Sequence, residues 1–168
     1  RQAGLKPAAC VVVATVRALK MHGGVAKSDL GAEDVAAVKR GIVNLARHVE
    51  NVGKFGIPVV VGLNKFTSDT DAEIAAVQDA MRALGTEAIL CTHWGDGAQG
   101  AVALAHAVKA RIDAGSAKFE PLYSDHVSLA GKIETIAREI YRAASVSIPA
   151  PVAAKLKRYE QDGFGELP

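Results

Sequence analysis

Residues 8 to 16, AACVVVATV, form a near-continuous apolar run rich in valine. That is the pattern of a strand covered on both faces, and such strands belong to parallel sheets. The run empties into RALKMHGG, residues 17 to 24, so a strand made for the interior ends in Arg17, Lys20, His22 and two glycines. Two further runs repeat the pattern, IPVVVGL at 57 to 63 and AILCT at 88 to 92.

The intervening segments read as helices. From Asp34 to Lys54, Val35, Val38, Ile42, Leu45, Val49 and Val52 keep one face apolar, and Gly53 or Gly56 can supply a left-handed cap. Before the third run, Thr70 and Glu73 form a capping box ahead of Ile74, Val77, Met81 and Leu84, with Gly85 as the stop. Strand, helix, strand, helix, strand predicts an α/β fold, a doubly wound and mostly parallel sheet with flanking helices. Another helix is expected from about Gln99 to Ala114, then a short strand over Phe119 to Tyr123, then helices over Val127 to Ala143 and Pro149 to Gln161. The expected organisation is a single α/β domain or fragment over 1–168, with the sheet core in 1–118 and a short strand plus a helical C-terminal part in 119–168.

Composition narrows the function classes. A chain of 168 residues can bury a sizeable core without disulfides. Its two cysteines, Cys10 and Cys91, both fall in strand-like apolar runs, as reduced core thiols of a cytoplasmic protein would. A net charge of +2 with interspersed signs argues against nucleic acid and against a polybasic membrane patch, and the apolar runs are too short to span a bilayer. With Arg1 at its start and a Gly163-Phe164-Gly165 turn near its end, the chain reads as a piece of something larger.

In an open parallel sheet, ligands bind beyond the carboxyl ends of the strands. There the three runs empty into RALKMHGG, NKFTSDTD (64 to 71) and THWGDGAQG (92 to 100), which should share one edge. Gly95 to Gly100 has GxGxxG spacing, with Glu120 at the distance of a ribose-binding acid, but the dinucleotide fingerprint belongs on the first strand of its unit. Asn64-Lys65 resembles the start of a guanine-reading NKxD element, yet position 67 is Thr, so the carboxylate is missing. Asn64, Lys65, Gly95 and Gly97 are therefore expected either to meet a nucleotide or to brace their loops. Phe66 and Trp94 end consecutive strand runs in a chain poor in aromatics. Two such rings either hold a flat heterocycle between them or cap the core. The five histidines, at 22, 48, 93, 106 and 126, are scattered, and no metal site is expected. No GxxxxGK[ST] phosphate loop occurs in the chain.

VATVRALKMHGG, residues 13 to 24, resembles at every position a signature segment of the formate–tetrahydrofolate ligase family. The similarity continues through NLARHVENVGKFGIPVVVGLNKF, FEPLY, KIETIAREIY and LKRYEQDGFGELP, essentially the whole chain. The resemblance implies an internal portion of an enzyme that makes 10-formyltetrahydrofolate from formate, tetrahydrofolate and ATP with Mg, through formyl phosphate, on a core related to P-loop NTPases. It implies that the family's phosphate loop lies upstream of Arg1, so that this chain alone would be inactive. It also implies that Phe66 and Trp94 are the folate-stacking pair and that the parent is a cytoplasmic homo-oligomer. Arg17, Lys20 and His22 become candidate catalytic residues facing the anionic side, or else structural members of the signature. The rival functions are a non-catalytic folate- or nucleotide-binding or subunit-contact module and an NAD-binding domain. The latter would need a first-strand GxGxxG.

Overall fold

A computed structural model of the chain describes residues 3–168; Arg1 and Gln2 lie outside the described residues. These residues divide into two compact units, Pro7–Lys118 and a second made of Phe119–Pro168 with the residues up to Lys6. The first unit holds a three-stranded parallel sheet in the order β1 (Cys10–Ala14), β2 (Val59–Asn64), β3 (Ala88–Cys91). Val12 pairs with Val61 and Ala14 with Leu63, while Val61 pairs with Ala88 and Leu63 with Leu90. Alternation puts all of these on one face.

Helices α1 (Val16–His22), α2 (Val35–Gly53) and α3 (Asp71–Ala83) close that face. Val16 and Leu19, then Val38, Ile42 and Leu45, then Ile74, Val77 and Met81 join Ala14, Val61, Leu63 and Ala88 in one buried cluster. The predicted capping box is present, and α2 has in addition a side-chain cap at Asp34 that the apolar pattern had not singled out. Asp34 accepts from Ala37 N at 2.7 Å, and Thr70 and Glu73 form a reciprocal capping box. Gly56 and Gly85 both adopt positive φ. On the opposite face, α5 (Val102–Asp113) sits over β2, with Leu104 Cδ2 3.2 Å from where a Gly62 Cβ would be.

Several expectations need correction. The first strand stops at Ala14 and is not covered on both faces: Val13 is 63 % exposed, because β1 is an edge strand and α5 lies over β2 and β3. RALKMHGG, where no helix was expected, is helical through His22. Thr15, extended at φ −137° and ψ 146°, accepts from Ala18 N through its hydroxyl and starts α1 at once. The helix expected from about Gln99 to Ala114 is α5, which starts three residues later, at Val102. A single turn, α4 (His93–Asp96), and a 3-10 turn at Gly97–Ala101 precede α5. Phe119 to Tyr123 is irregular rather than a strand, and Pro121 at its centre lacks the N–H a ladder would use.

In the second unit, α6 (Leu129–Glu139) is shorter than the expected 127–143, whereas α7 (Ala150–Tyr159) runs on into a π turn over Glu160–Phe164 and covers the expected 149–161. Glu160 accepts from Leu129 N at 2.8 Å, and Lys132 donates to the Gly165 and Leu167 carbonyls at 2.8 and 2.6 Å, which ties the last turn to α6. No helix among the described residues is long and apolar enough to cross a membrane.

Candidate functional site

The carboxyl ends of the three strands surround a cleft of about 500 Å³. Arg17 enters it from the first turn of α1, Lys65 and Phe66 from the end of β2, and Thr92, Trp94, Gly95 and Asp96 from the end of β3. Lys65 N donates to Cys91 O at 2.9 Å, so the backbone beyond β2 stays registered with β3 as the two chains reach the cleft.

Phe66 is 37 % exposed and its loop is braced twice. Its N–H donates to Asp69 Oδ2 at 2.8 Å, and Asp69 N donates back to Phe66 O at 3.0 Å. Arg17 lies over the ring with its guanidinium carbon 4.5 Å from the centroid, while Nη2 donates to Ser68 Oγ at 3.4 Å. Trp94, on the α4 turn, is 82 % exposed. A ring so exposed covers little of the core.

Gly97 adopts φ 59° and ψ −146°, a region essentially closed to other residues. Gly100 packs where a Cβ would lie 2.4 Å from His93 N, and its carbonyl accepts from Thr92 N at 3.1 Å. The 95-to-100 glycines thus pin a helical turn to the end of β3, and α5 begins only at Val102.

The other predicted residues lie elsewhere. Lys20 is completely buried, its Nζ 2.7 Å from Glu73 Oε1 and donating to Ala32 O at 2.9 Å. Glu73 is equally buried and also accepts from Asp34 N at 2.8 Å and Thr70 N at 3.1 Å. Burial pushes its carboxyl up, but the Lys20 hydrogen bond, the two backbone N–H groups and the Lys20 charge outweigh burial and hold it below the usual carboxylate range. His22 is exposed at the end of α1, and Asn64 ends β2 half-buried without lining the cleft. Gly97 does not line the cleft.

Sequence reading passed over Ser68 and Asp69. The signal was present: Ser and Asp directly before a helix cap are turn formers whose side chains bond nearby backbone.

All 168 residues match the model of the family described as formate–tetrahydrofolate ligase. The chain belongs to that family. It is 58 % identical over 168 residues to the formate–tetrahydrofolate ligase of Allorhizobium ampelinum, 57 % to that of Rhizobium etli and 52 % to that of Maricaulis maris. Each alignment covers 100 % of this chain and 30 % of the relative, so the chain spans about a third of the length of these curated formate–tetrahydrofolate ligases.

Proposed function

We propose that the protein carrying this chain is an ATP-dependent ligase joining formate to tetrahydrofolate, and that the cleft between Phe66 and Trp94 holds the flat pterin ring. The observation that carries the reading is the pair of rings itself. A braced, part-exposed Phe66 and an exposed Trp94 line one cleft at the carboxyl edge of a parallel sheet, where open α/β folds bind ligands. Membership of the ligase family supports the assignment of the ligand.

Formate is a weak acylating group until its oxygen is phosphorylated, after which an amine nitrogen can displace phosphate from formyl phosphate. That transfer gains from an oriented acceptor and from cations near the phosphoryl oxygens. Stacking supplies the orientation here. Arg17 and Lys65 bring positive charge to the same cleft and Asp96 brings a carboxylate.

The test uses the full-length protein. Tetrahydrofolate should quench the emission of Trp94, the only tryptophan among these residues. Trp94→Ala and Phe66→Ala should each weaken tetrahydrofolate binding by about 1–3 kcal/mol, the worth of a buried aromatic with its stacking contribution. The two losses should be less than additive, because a ring held from one side has already lost part of the order the second aromatic exploits. Unchanged affinity in both single variants ends the reading. A fall in melting temperature with affinity lost only in proportion to the unfolded fraction would return both rings to a structural role.

A further inference from the structure

Arg17 stands out among the cleft residues because its guanidinium is already spoken for. The carbon lies 4.5 Å from the Phe66 centroid, Nη2 reaches Ser68 Oγ at 3.4 Å, and Nε is buried without a hydrogen-bond partner. A buried N–H without an acceptor is costly, so the group must gain elsewhere by lying there. A planar cation against a ring face is such a gain, and it is one that only arginine offers in this geometry. A phenyl ring has two faces. With one taken by Arg17, one remains for a ligand.

We infer that Arg17 is a positioning residue whose guanidinium backs the Phe66 ring and presents its free face to the flat ligand of the cleft. The inference rests on the pterin reading above. Arg17 sits one residue into α1, and α1 is anchored by the buried Lys20–Glu73 pair, so the backing group is held by the core rather than by a loop. The ring behind it is braced through Ser68 and Asp69. A plate fixed before the ligand arrives loses little freedom on binding, which is where the affinity arises. The arrangement is a stack of guanidinium, phenyl ring, ligand and indole.

The experiment is steady-state ligase kinetics on the full-length protein carrying Arg17→Lys, Arg17→Met, Phe66→Ala, or Arg17→Met with Phe66→Ala. Arg17→Lys keeps the charge and loses the planar stack. Both Arg17 variants should raise the KM for tetrahydrofolate by about 3- to 30-fold, with the KM values for ATP and formate shifting less than about twofold. In the double variant, removing Arg17 should add little to the loss caused by Phe66→Ala. A general loss of folded protein would instead lower the apparent kcat for all substrates together. Should Arg17→Met fail to fold, Arg17→Lys decides. An unchanged or lower KM for tetrahydrofolate in Arg17→Lys overturns the inference, because the guanidinium would then occupy the face the ligand needs. A fall in kcat with the tetrahydrofolate KM unmoved also overturns it, placing Arg17 on the reacting anions. If Phe66→Ala itself leaves the tetrahydrofolate KM unchanged, the pterin reading fails and this inference with it; if only the Arg17 variants are silent, the pterin reading stands alone.

Discussion

Replacing Lys20 by methionine should be among the most damaging single changes outside the apolar core. The methionine fills a similar volume, so packing is largely kept and the electrostatic loss is isolated. What it leaves behind is Glu73, completely buried, with backbone N–H groups of Asp34 and Thr70 at 2.8 and 3.1 Å but no cation. Removing one partner of a buried pair costs about 3–5 kcal/mol, because the remaining charge is uncompensated. The Ala32 carbonyl loses its donor too. Equilibrium denaturation at neutral pH should show the loss as a lower midpoint at unchanged slope. Lys20→Met combined with Glu73→Gln should recover a large part of it, since two neutral groups need no counter-charge. The pH dependence gives a second readout. Glu73 is held below the usual carboxylate range in the folded state, so its contribution is present in full above about pH 5 and is lost as pH falls through the folded value. The gap between the parent and Lys20→Met should therefore narrow on acidification, because a protonated Glu73 no longer needs the amine. A loss under about 1 kcal/mol at neutral pH, or a gap independent of pH, would refute this account of the pair.

Gly23→Ala should destabilise by about 1–3 kcal/mol in the same denaturation assay, since the new Cβ would lie 2.0 Å from the Ala37 carbonyl oxygen, a backbone atom that cannot swing aside. Gly97→Ala should cost about 1–3 kcal/mol through backbone strain alone, as its φ of 59° and ψ of −146° admit little but glycine, and the thermal midpoint should fall although nothing lies within reach of the added methyl. Burial pushes the Cys91 thiol up, so iodoacetamide at pH 7.5 should label Cys91 far more slowly in the native protein than after denaturation, as read by peptide mass spectrometry. Rapid native labelling would mean that the end of β3 opens readily.

The parts of the fold that carry periodicity were legible. Valine-rich runs located the strand centres, α2 was readable from its apolar face, and α3 from its apolar face and side-chain capping box, because those signals are local. The signature segment was harder. Thr15 continues a β-branched run and so reads as strand, yet its hydroxyl caps a helix, and Arg, Ala, Leu, Lys and Met after it are all good helix formers. Only the sheet's end decides between the two. The open outer face of β1 was unreadable for a different reason: a continuous apolar run says that a strand expects cover on both faces, not whether α5 lies over it or over its neighbours. Of the site, the convergence of residues 17, 65, 66 and 94 followed from chain order. The split between Arg17 and Lys20 did not, because it depends on how far along a helix each residue lies, and no helix was expected there.

That axial placement explains why one short segment combines such different residues. Arg17 and Lys20 are three apart on α1 and so lie roughly on the same side, one turn apart along the axis. The turn nearer the strand end meets the cleft, and the next meets the interior, where Glu73 waits at the start of α3. At its far end α1 crosses α2 so closely that Cβ atoms at Gly23 and Gly41 would lie 2.0 and 1.9 Å from backbone carbonyl oxygens of Ala37 and Leu19. Arg40 closes the crossing by donating to the Gly23 carbonyl at 2.9 Å. Two glycine contacts and one buried ion pair thus fix a helix of seven residues, too short to be stable by itself. A guanidinium mounted on that helix is held in place by the core, which is what a cation stacked against an aromatic ring at the edge of a cleft requires.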